Sequence, residues 1–181
     1  MTGVVRVLCA APVAVLVALT LAASTLSMSM TSSAPRGVMG GAGYSHGFQP
    51  PLRGAVLTQS FGCSPYPFEP LEPACATRHW HSGVDLAAPA GTPVRATLGG
   101  RVRVLLSAGG FGLHVIVDHG AGLTSLYGHL SDALLPDGAA VEAGATIGDV
   151  GSTGNSTGPH LHFEIRRDGV AEDPRLDLPL P

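Results

Sequence analysis

The stretch GPHLHFEIRR, residues 158–167, places two histidines one residue apart at the head of a segment in which polar and apolar side chains alternate. Such alternation predicts a β-strand, because successive side chains of a strand point to opposite faces. His160 and His162 therefore share a face and lie about 6.5–7 Å apart along the strand. Two imidazoles on one face suit a metal site, or a metal ligand beside a group that transfers protons. An isolated pair of this kind is more often without function, so other parts of the chain must decide.

Similar alternation recurs upstream and predicts further strands. It is found at residues 101–106, 113–119 and 123–130. Turns rich in glycine separate these segments, and the chain of 181 residues contains 25 glycines and 15 prolines. Between residues 54 and 176 no stretch has the pattern of a long amphipathic helix. We therefore expect an all-β domain, a compact antiparallel sandwich or barrel-like fold with short strands and long loops.

The composition of the chain narrows the class of function. Hydrophobic residues make up 45%, which is enough for a core, while charged residues make up 13% and the formal net charge is −3. All ten basic residues are arginine, and they form no basic run of the kind that follows a nucleic-acid backbone. We therefore expect no nucleic-acid partner.

The N-terminal end has the pattern of an export signal. Arg6 precedes an apolar, uncharged stretch at residues 7–23, and small residues that suit cleavage follow. We interpret residues 1–30 as a signal peptide or, if uncleaved, as an N-terminal anchor that is the chain's single contact with a membrane. In both cases the rest of the chain lies outside the cytoplasm. Beyond this segment we expect a linker rich in Gly, Ser and Pro at 31–53, a domain at 54–176 and a C-terminal tail at 177–181.

Two cysteines fall within the expected domain, Cys63 and Cys75, and the third, Cys9, lies in the N-terminal segment. An even pair in an oxidising compartment favours a disulfide, although two free thiols are also consistent with the sequence. Their spacing does not fit the closely spaced cysteine pair of a zinc knuckle.

Two further groups of polar residues accompany the histidine pair. In HSGVD the four-residue spacing of His81 and Asp85 places both on one face of an extended segment. Two histidines and one aspartate form a ligand set that suits zinc, and three protein ligands leave one coordination position open, as in a catalytic site. The third group is YGHL, in which His129 lies near the end of an expected strand.

Together and in this order, the motifs resemble those of the lysostaphin-type (M23, LytM-like) peptidoglycan metalloendopeptidases. The similarity covers residues 54–168, which is nearly the whole expected domain, and it is specific because several separated motifs agree at once. The matching motifs are HSGVDLAAPAGTPV at 81–94, YGHL at 127–130, GATIG at 144–148 and GSTGNSTGPHLHFE at 151–164.

The resemblance implies a LytM-type fold, a duplicated hybrid motif, with one zinc ion per domain. His81, Asp85 and His162 correspond to the zinc ligands of the family. His129 and His160 correspond to two catalytic histidines that do not bind the metal, and the sequence does not divide their roles. The segment Cys63–Thr77 resembles an insertion before the first zinc motif, and we expect it to rim the cleft.

The function implied is that of a secreted, monomeric zinc endopeptidase that cleaves peptide stems or cross-links of peptidoglycan. The alternative is a non-catalytic LytM-like module that regulates another cell-wall hydrolase, since some members of the family have lost ligands. All five expected positions are intact here, which favours the enzyme. A biotinyl or lipoyl carrier domain is excluded, because such a domain needs a modified lysine and the chain contains none.

Overall fold

Thirteen short strands and one 3₁₀ turn make up the part of the protein that the computed structural model describes, residues 47–181. The expected signal or anchor segment, residues 1–30, and most of the expected linker lie outside this part. In chain order the strands are β1 Val56–Gln59, β2 Gly62–Ser64, β3 His79–His81, β4 Val84–Ala87, β5 Pro93–Arg95, β6 Gly100–Leu106, β7 Leu113–Gly120, β8 Leu123–Gly128, β9 Leu130–Ala133, β10 Ala140–Val141, β11 Thr146–Val150, β12 His160–Arg167 and β13 Val170–Glu172, and the 3₁₀ turn is Pro174–Leu176.

All of the strand pairs are antiparallel, and they form three sheets. The largest has the order β1-β4-β12-β8-β7-β6-β10, with β13 paired to the far half of β12. A second sheet has the order β5-β11-β9, and β2 and β3 form a separate two-stranded ribbon. The predicted all-β, antiparallel fold with short strands is therefore confirmed. No helix among the described residues is long and apolar enough to span a membrane.

The alternating pattern of β12 divides its side chains between a core and a polar face. Leu161, Phe163 and Ile165 are completely buried and belong to one apolar cluster, which also contains side chains of the second sheet such as Val94 and Ile147. Burial of each large apolar side chain contributes about 1.5–3 kcal/mol to folding. The core therefore holds β12 in a register that directs His160, His162 and Glu164 to the opposite face.

Residues on both sides of the expected domain also contribute to its core. Leu52 is 6% exposed and Leu178 is 3% exposed, and both belong to the same apolar cluster. Next to Leu178, the carboxylate of Asp177 accepts a hydrogen bond of 2.6 Å from Arg167. The packing therefore continues into the segments expected to be linker and tail.

A disulfide joins Cys63 to Cys75, with Cα atoms 5.4 Å apart. It closes a loop that leads from β2 to β3 and contains four prolines. Proline fixes the backbone angle φ, and a short covalent ring limits the chain further. The expected disulfide is thus present, and it restrains the loop that precedes the first histidine of the HSGVD motif.

A buried tyrosine connects the large sheet to the loop that precedes β6. Tyr127 is completely buried, and its hydroxyl oxygen accepts a hydrogen bond of 2.7 Å from the backbone N–H of Thr97. Ser125 lies 2.9 Å from the same oxygen, and His119 contacts Ser125 in turn. Burial raises the pKa of Tyr127, so the hydroxyl remains neutral.

We predict that Tyr127→Phe lowers the free energy of unfolding by about 1–3 kcal/mol, because the N–H of Thr97 is left buried without a partner. Urea denaturation of the purified variant and the parent protein measures the difference. The control is Tyr66→Phe. Tyr66 is 42% exposed, so water can bond to any group that its hydroxyl leaves. Equal denaturation midpoints for Tyr127→Phe and the parent would contradict the assignment.

Candidate metal centre and active site

The floor of the site is the polar face of β4 and β12. The register of these two strands places Asp85 directly opposite His162, and His160 opposite Ala87. Directly opposed residues of an antiparallel pair lie on the same face. Asp85, His162 and His160 therefore share the face of the sheet that points away from the apolar core.

Three side chains converge on one point above this floor. His81, at the end of β3, has its Nε2 atom 3.1 Å from Asp85 Oδ1 and 3.0 Å from His162 Nδ1. His162 Nδ1 is also 3.0 Å from Asp85 Oδ1, so the three donor atoms form a nearly equilateral triangle. Ligands of a tetrahedral zinc ion, with bonds of about 2.0–2.2 Å, lie about 3.3 Å apart. Within residues 47–181, these three side chains are the group that could hold a metal ion.

The hydrogen bonds of the two histidines determine which nitrogen faces the triangle. His81 Nδ1 lies 3.0 Å from the carbonyl oxygen of Ser60, which can only accept, so the proton is on Nδ1 and Nε2 has a free lone pair. His162 has the opposite arrangement: its Nε2 lies 3.0 Å from Glu164 Oε1, which leaves the free lone pair on Nδ1, the atom that faces the triangle. Outer partners of this kind orient metal-binding histidines in general.

Glu164 is a fully buried carboxylate behind the triangle. Besides His162 it accepts hydrogen bonds of 2.5 Å from Ser82 Oγ and from Arg166 Nε. Burial alone would raise the pKa of Glu164, but the bonds from His162 and Arg166 outweigh it and lower the pKa to about 2. When protons occupy the nitrogens of His162 and His81 that face Asp85, hydrogen bonds from these two rings outweigh burial and hold the pKa of Asp85 well below its usual range. A metal ion in the triangle would take the place of those protons. Two ionised carboxylates in a largely buried place favour the binding of a cation.

His129 and His160 lie beside the triangle and are not part of it. His129 Nδ1 donates to the carbonyl oxygen of Thr153 over 2.7 Å, and His160 Nδ1 to that of Gly158 over 2.8 Å. Their Nε2 atoms are therefore the free ones. The two rings have centroids 4.6 Å apart, and His160 Nε2 lies 3.7 Å from Asp85 Oδ2. Burial lowers the pKa of His129 to about 4, which keeps that imidazole neutral.

His129 also interrupts the strand expected at residues 123–130. Its φ angle is +61°, in the left-handed region, and β8 ends before it while β9 begins after it. Residues other than glycine adopt this conformation rarely, and such strain is concentrated at functional sites. The backbone N–H of His129 donates to the carbonyl oxygen of Phe111 over 2.8 Å, which holds the unusual conformation.

A cavity of about 520 Å³ contains all five histidine and aspartate side chains expected to form the site. The loop closed by the disulfide, which we expected to rim the cleft, contributes Tyr66, Phe68, Glu69 and Pro70 to its lining. The structure thus brings the expected residues together, and it surrounds them with a largely apolar wall. The expected residues in the lining are His81, Asp85, His129, His160 and His162.

Sequence reasoning did not identify several residues of the site. The ring of Phe111 packs on His162, with centroids 5.1 Å apart, and the guanidinium of Arg166 lies 5.9 Å from the Phe111 ring. Ser60 and Thr153 act through their backbone carbonyl groups, which leave no signal in the sequence. Gln59 reaches the site through a β-bulge, and a bulge cannot be located from an alternating pattern alone.

The chain is similar to known peptidases in sequence and in fold. Residues 79–174 match the sequence profile described as peptidase family M23. A protein named DD-carboxypeptidase/endopeptidase Mpg, from Neisseria meningitidis serogroup B, is 44% identical over 119 residues, which cover 65% of this chain and 27% of the relative. The murein hydrolase activator EnvC of Escherichia coli K12 is 45% identical over 93 residues, which cover 51% of this chain and 22% of the relative. The chain thus matches about a quarter of the length of these relatives.

A solved structure, described as a zinc containing peptidase from Vibrio cholerae, superposes with a TM-score of 0.62 at 30% sequence identity. The match covers 76% of this chain and 41% of that protein. The likeness therefore extends across the described sheets as well as the motifs.

We predict that Gly83→Ala weakens zinc binding by about 10–100-fold, the usual effect of disturbing the partners of a metal ligand. A Cβ atom at position 83 would clash with the backbone oxygen of Phe163 and would lie 2.8 Å from Glu164 Cγ and 3.0 Å from His162 Nε2. The backbone of β12 and the Glu164–His162 pair would therefore have to move. Competition with a chelating indicator measures the affinity. The control is Gly109→Ala, where the nearest atom, Asn155 Oδ1, would lie at an ordinary 3.7 Å. Equal zinc affinity for Gly83→Ala and the parent would show that this packing does not support the site.

Proposed function

The chain belongs to peptidase family M23, and on this basis we propose that it is a zinc-dependent endopeptidase that hydrolyses peptide bonds of bacterial peptidoglycan. The observation that carries the proposal is the triangle of His81, Asp85 and His162 with two further histidines beside it in one cavity. The name of the Neisseria relative, a carboxypeptidase and endopeptidase, supports peptide-bond hydrolysis. Because the substrate lies outside the cytoplasm, the signal pattern at residues 1–30 is consistent with the same function.

His81, Asp85 and His162 are the residues that would hold the zinc ion. The donor atoms fit it, because they lie 3.0–3.1 Å apart and their outer hydrogen bonds leave one free lone pair on each histidine. A zinc ion supplies a Lewis acid that polarises a carbonyl group and lowers the pKa of water. Glu164 keeps His162 in the required orientation, and Phe111 covers its ring.

His160 and His129 are proposed to move the protons of the reaction. Each ring has its Nδ1 proton held by a backbone carbonyl group and its Nε2 atom free in the cavity. An imidazole in this state can accept a proton from the attacking water and return it to the leaving amine. The carbonyl groups of Thr153 and Gly158 fix the tautomer, so no ring rotation is needed before the proton transfer.

A second candidate function is the regulation of another cell-wall hydrolase. The similarity to EnvC, a murein hydrolase activator, supports it. The metal-binding triangle and both adjacent histidines are present in this chain, and a purely regulatory module would need neither. We therefore favour the enzyme.

Two substitutions distinguish metal binding from proton transfer. We predict that His162→Ala loses both zinc and peptidoglycan cleavage. His160→Ala should retain about one zinc per chain but cleave about 10²–10⁴-fold more slowly, the usual contribution of general acid–base catalysis. Zinc content by atomic spectroscopy and mass spectrometry of the fragments released from purified peptidoglycan give the two readouts. His119→Gln, outside the residues that line the cavity, serves as the control.

The outcome also separates the two candidate functions. Cleavage at the parental rate by His160→Ala would refute the proposed mechanism. A parent protein that binds zinc and peptidoglycan, releases no fragments and stimulates a second hydrolase would show that the regulatory function is the correct one.

A further inference from the structure

A β-bulge brings Gln59 to the face of the sheet that carries the site. In the pairing of β1 with β4, Leu57 lies opposite Leu86 and Gln59 lies opposite Asp85, so Thr58 is the extra residue. Bulges redirect side chains in this way. Gln59, Asp85 and His162 thus form a row across three adjacent strands, which are about 4.8 Å apart. Gln59 is one strand away from a proposed metal ligand and lines the same cavity.

The orientation of the Gln59 amide is determined by its neighbours. Nε2 donates to Glu69 Oε1 over 2.5 Å and to Ser64 Oγ over 3.1 Å. A carboxylate can only accept, and an amide nitrogen has two N–H groups, so both donors are in use. The amide oxygen, Oε1, is therefore the polar atom of the Gln59 side chain that these two hydrogen bonds do not use. It has no hydrogen-bond partner within residues 47–181 and is not among the buried unpaired atoms there.

The residues that hold Gln59 are themselves held in place. Ser64 and Glu69 belong to the loop closed by the disulfide, and His79 Nδ1 contacts the carbonyl oxygen of Glu69 at 2.8 Å. The second oxygen of Glu69, Oε2, is buried without a hydrogen-bond partner in the described part of the chain.

The wall around this acceptor is apolar. Tyr66 and Phe68 stack with ring centroids 5.5 Å apart and an angle of 23° between their planes, and Trp80 also lines the cavity. A peptide that enters loses its water on this side, and an N–H group buried without an acceptor is unfavourable. An acceptor that is already oriented removes this penalty without a further ordering cost.

We propose that the amide oxygen of Gln59 accepts a hydrogen bond from one backbone N–H of the peptide substrate, next to the bond that is cleaved, and that Glu69 is the positioning residue that keeps this oxygen turned to the cavity. The inference rests on the proposed endopeptidase function and adds a binding contact to it. The contact recognises the main chain of the peptide, while the Tyr66–Phe68 wall receives the adjacent side chain.

The first test uses Gln59→Met, which keeps the length of the side chain and removes the amide. With a soluble cross-linked muropeptide as substrate, KM should rise about tenfold, which corresponds to about 1.4 kcal/mol, while kcat changes less than about twofold. Zinc content and thermal stability show whether the variant is intact. The matched control is Gln49→Met, because Gln49 is exposed and does not line the cavity.

Glu69→Gln tests the positioning role. With a neutral amide at position 69, Gln59 can adopt two orientations, and equal populations would raise KM about twofold. In the Gln59→Met background the same substitution should have no further effect on KM, since Glu69 acts through Gln59. Additive effects would show that Glu69 acts on the substrate by another route.

The second test changes the substrate. Muropeptide analogues in which one non-scissile N–H at a time is replaced by an ester oxygen should include one that the parent protein cleaves about tenfold less efficiently, the loss expected for one hydrogen bond of about 1.4 kcal/mol. Gln59→Met should cleave that analogue and the normal substrate equally well. If Gln59→Met does not fold, the ester analogues can be compared between the parent protein and Glu69→Gln. The analogue that the parent protein cleaves less efficiently should then show a smaller loss of efficiency with Glu69→Gln.

Identical kinetics of Gln59→Met and the parent, or ester effects that are the same in both, would overturn the inference while leaving the proposed function intact. Failure of the parent protein to cleave any muropeptide would instead refute the proposed function.

Discussion

The antiparallel register between β4 and β12 is the constraint on which the site depends. It sets Asp85 against His162 on one face, while Leu86 and Leu161 oppose each other on the other face. A slip of one residue would move both histidines of β12 into the apolar core and its apolar side chains to the opposite face. The burial of Leu161, Phe163 and Ile165 therefore stabilises the fold and also positions His160 and His162. The same strand therefore contributes both to the core and to the proposed metal site.

The site contains two largely buried carboxylates that are ionised. Asp85 and Glu164 are carboxylates with lowered pKa values in a place where burial alone would raise them. Hydrogen bonds from histidine, serine and arginine side chains stabilise Glu164, whereas Asp85 faces the two histidine nitrogens that would share a cation with it. In the proposed metal site the two carboxylates would have separate roles, since Glu164 orients His162 and Asp85 would provide negative charge to the ion. Glycine is required at position 83, because a Cβ atom there would clash with the backbone oxygen of Phe163 and with the side chain of Glu164.

The loop closed by the Cys63–Cys75 disulfide contributes aromatic side chains to the cavity wall. Its aromatic pair is exposed, which is unfavourable in water unless a ligand covers it. Its Glu69 reaches back to Gln59, one strand from Asp85, so the loop and the edge strand form one polar contact inside an apolar surface. The disulfide and the prolines reduce the conformational freedom of this loop, which favours a wall that is formed before the substrate arrives.

Much of the site was readable from the sequence, because a strand repeats every two residues whatever surrounds it. The spacing of His160 and His162 determined that these two side chains share a face, and the order of the motifs indicated the family. His81 and Asp85 were expected on one extended segment, but they lie on β3 and β4, which belong to different sheets, so the tertiary structure brings them together. The antiparallel all-β class followed from the same alternation. The tertiary structure alone decided which nitrogen of each histidine faces the triangle, that Glu164 is buried behind it, and that His129 breaks its strand at a φ angle of +61°. It also decided that a bulge brings Gln59 opposite Asp85. These features depend on hydrogen bonds to backbone groups of distant segments such as Ser60 and Thr153, and a local pattern of residues carries no information about which distant carbonyl group will lie beside a given ring.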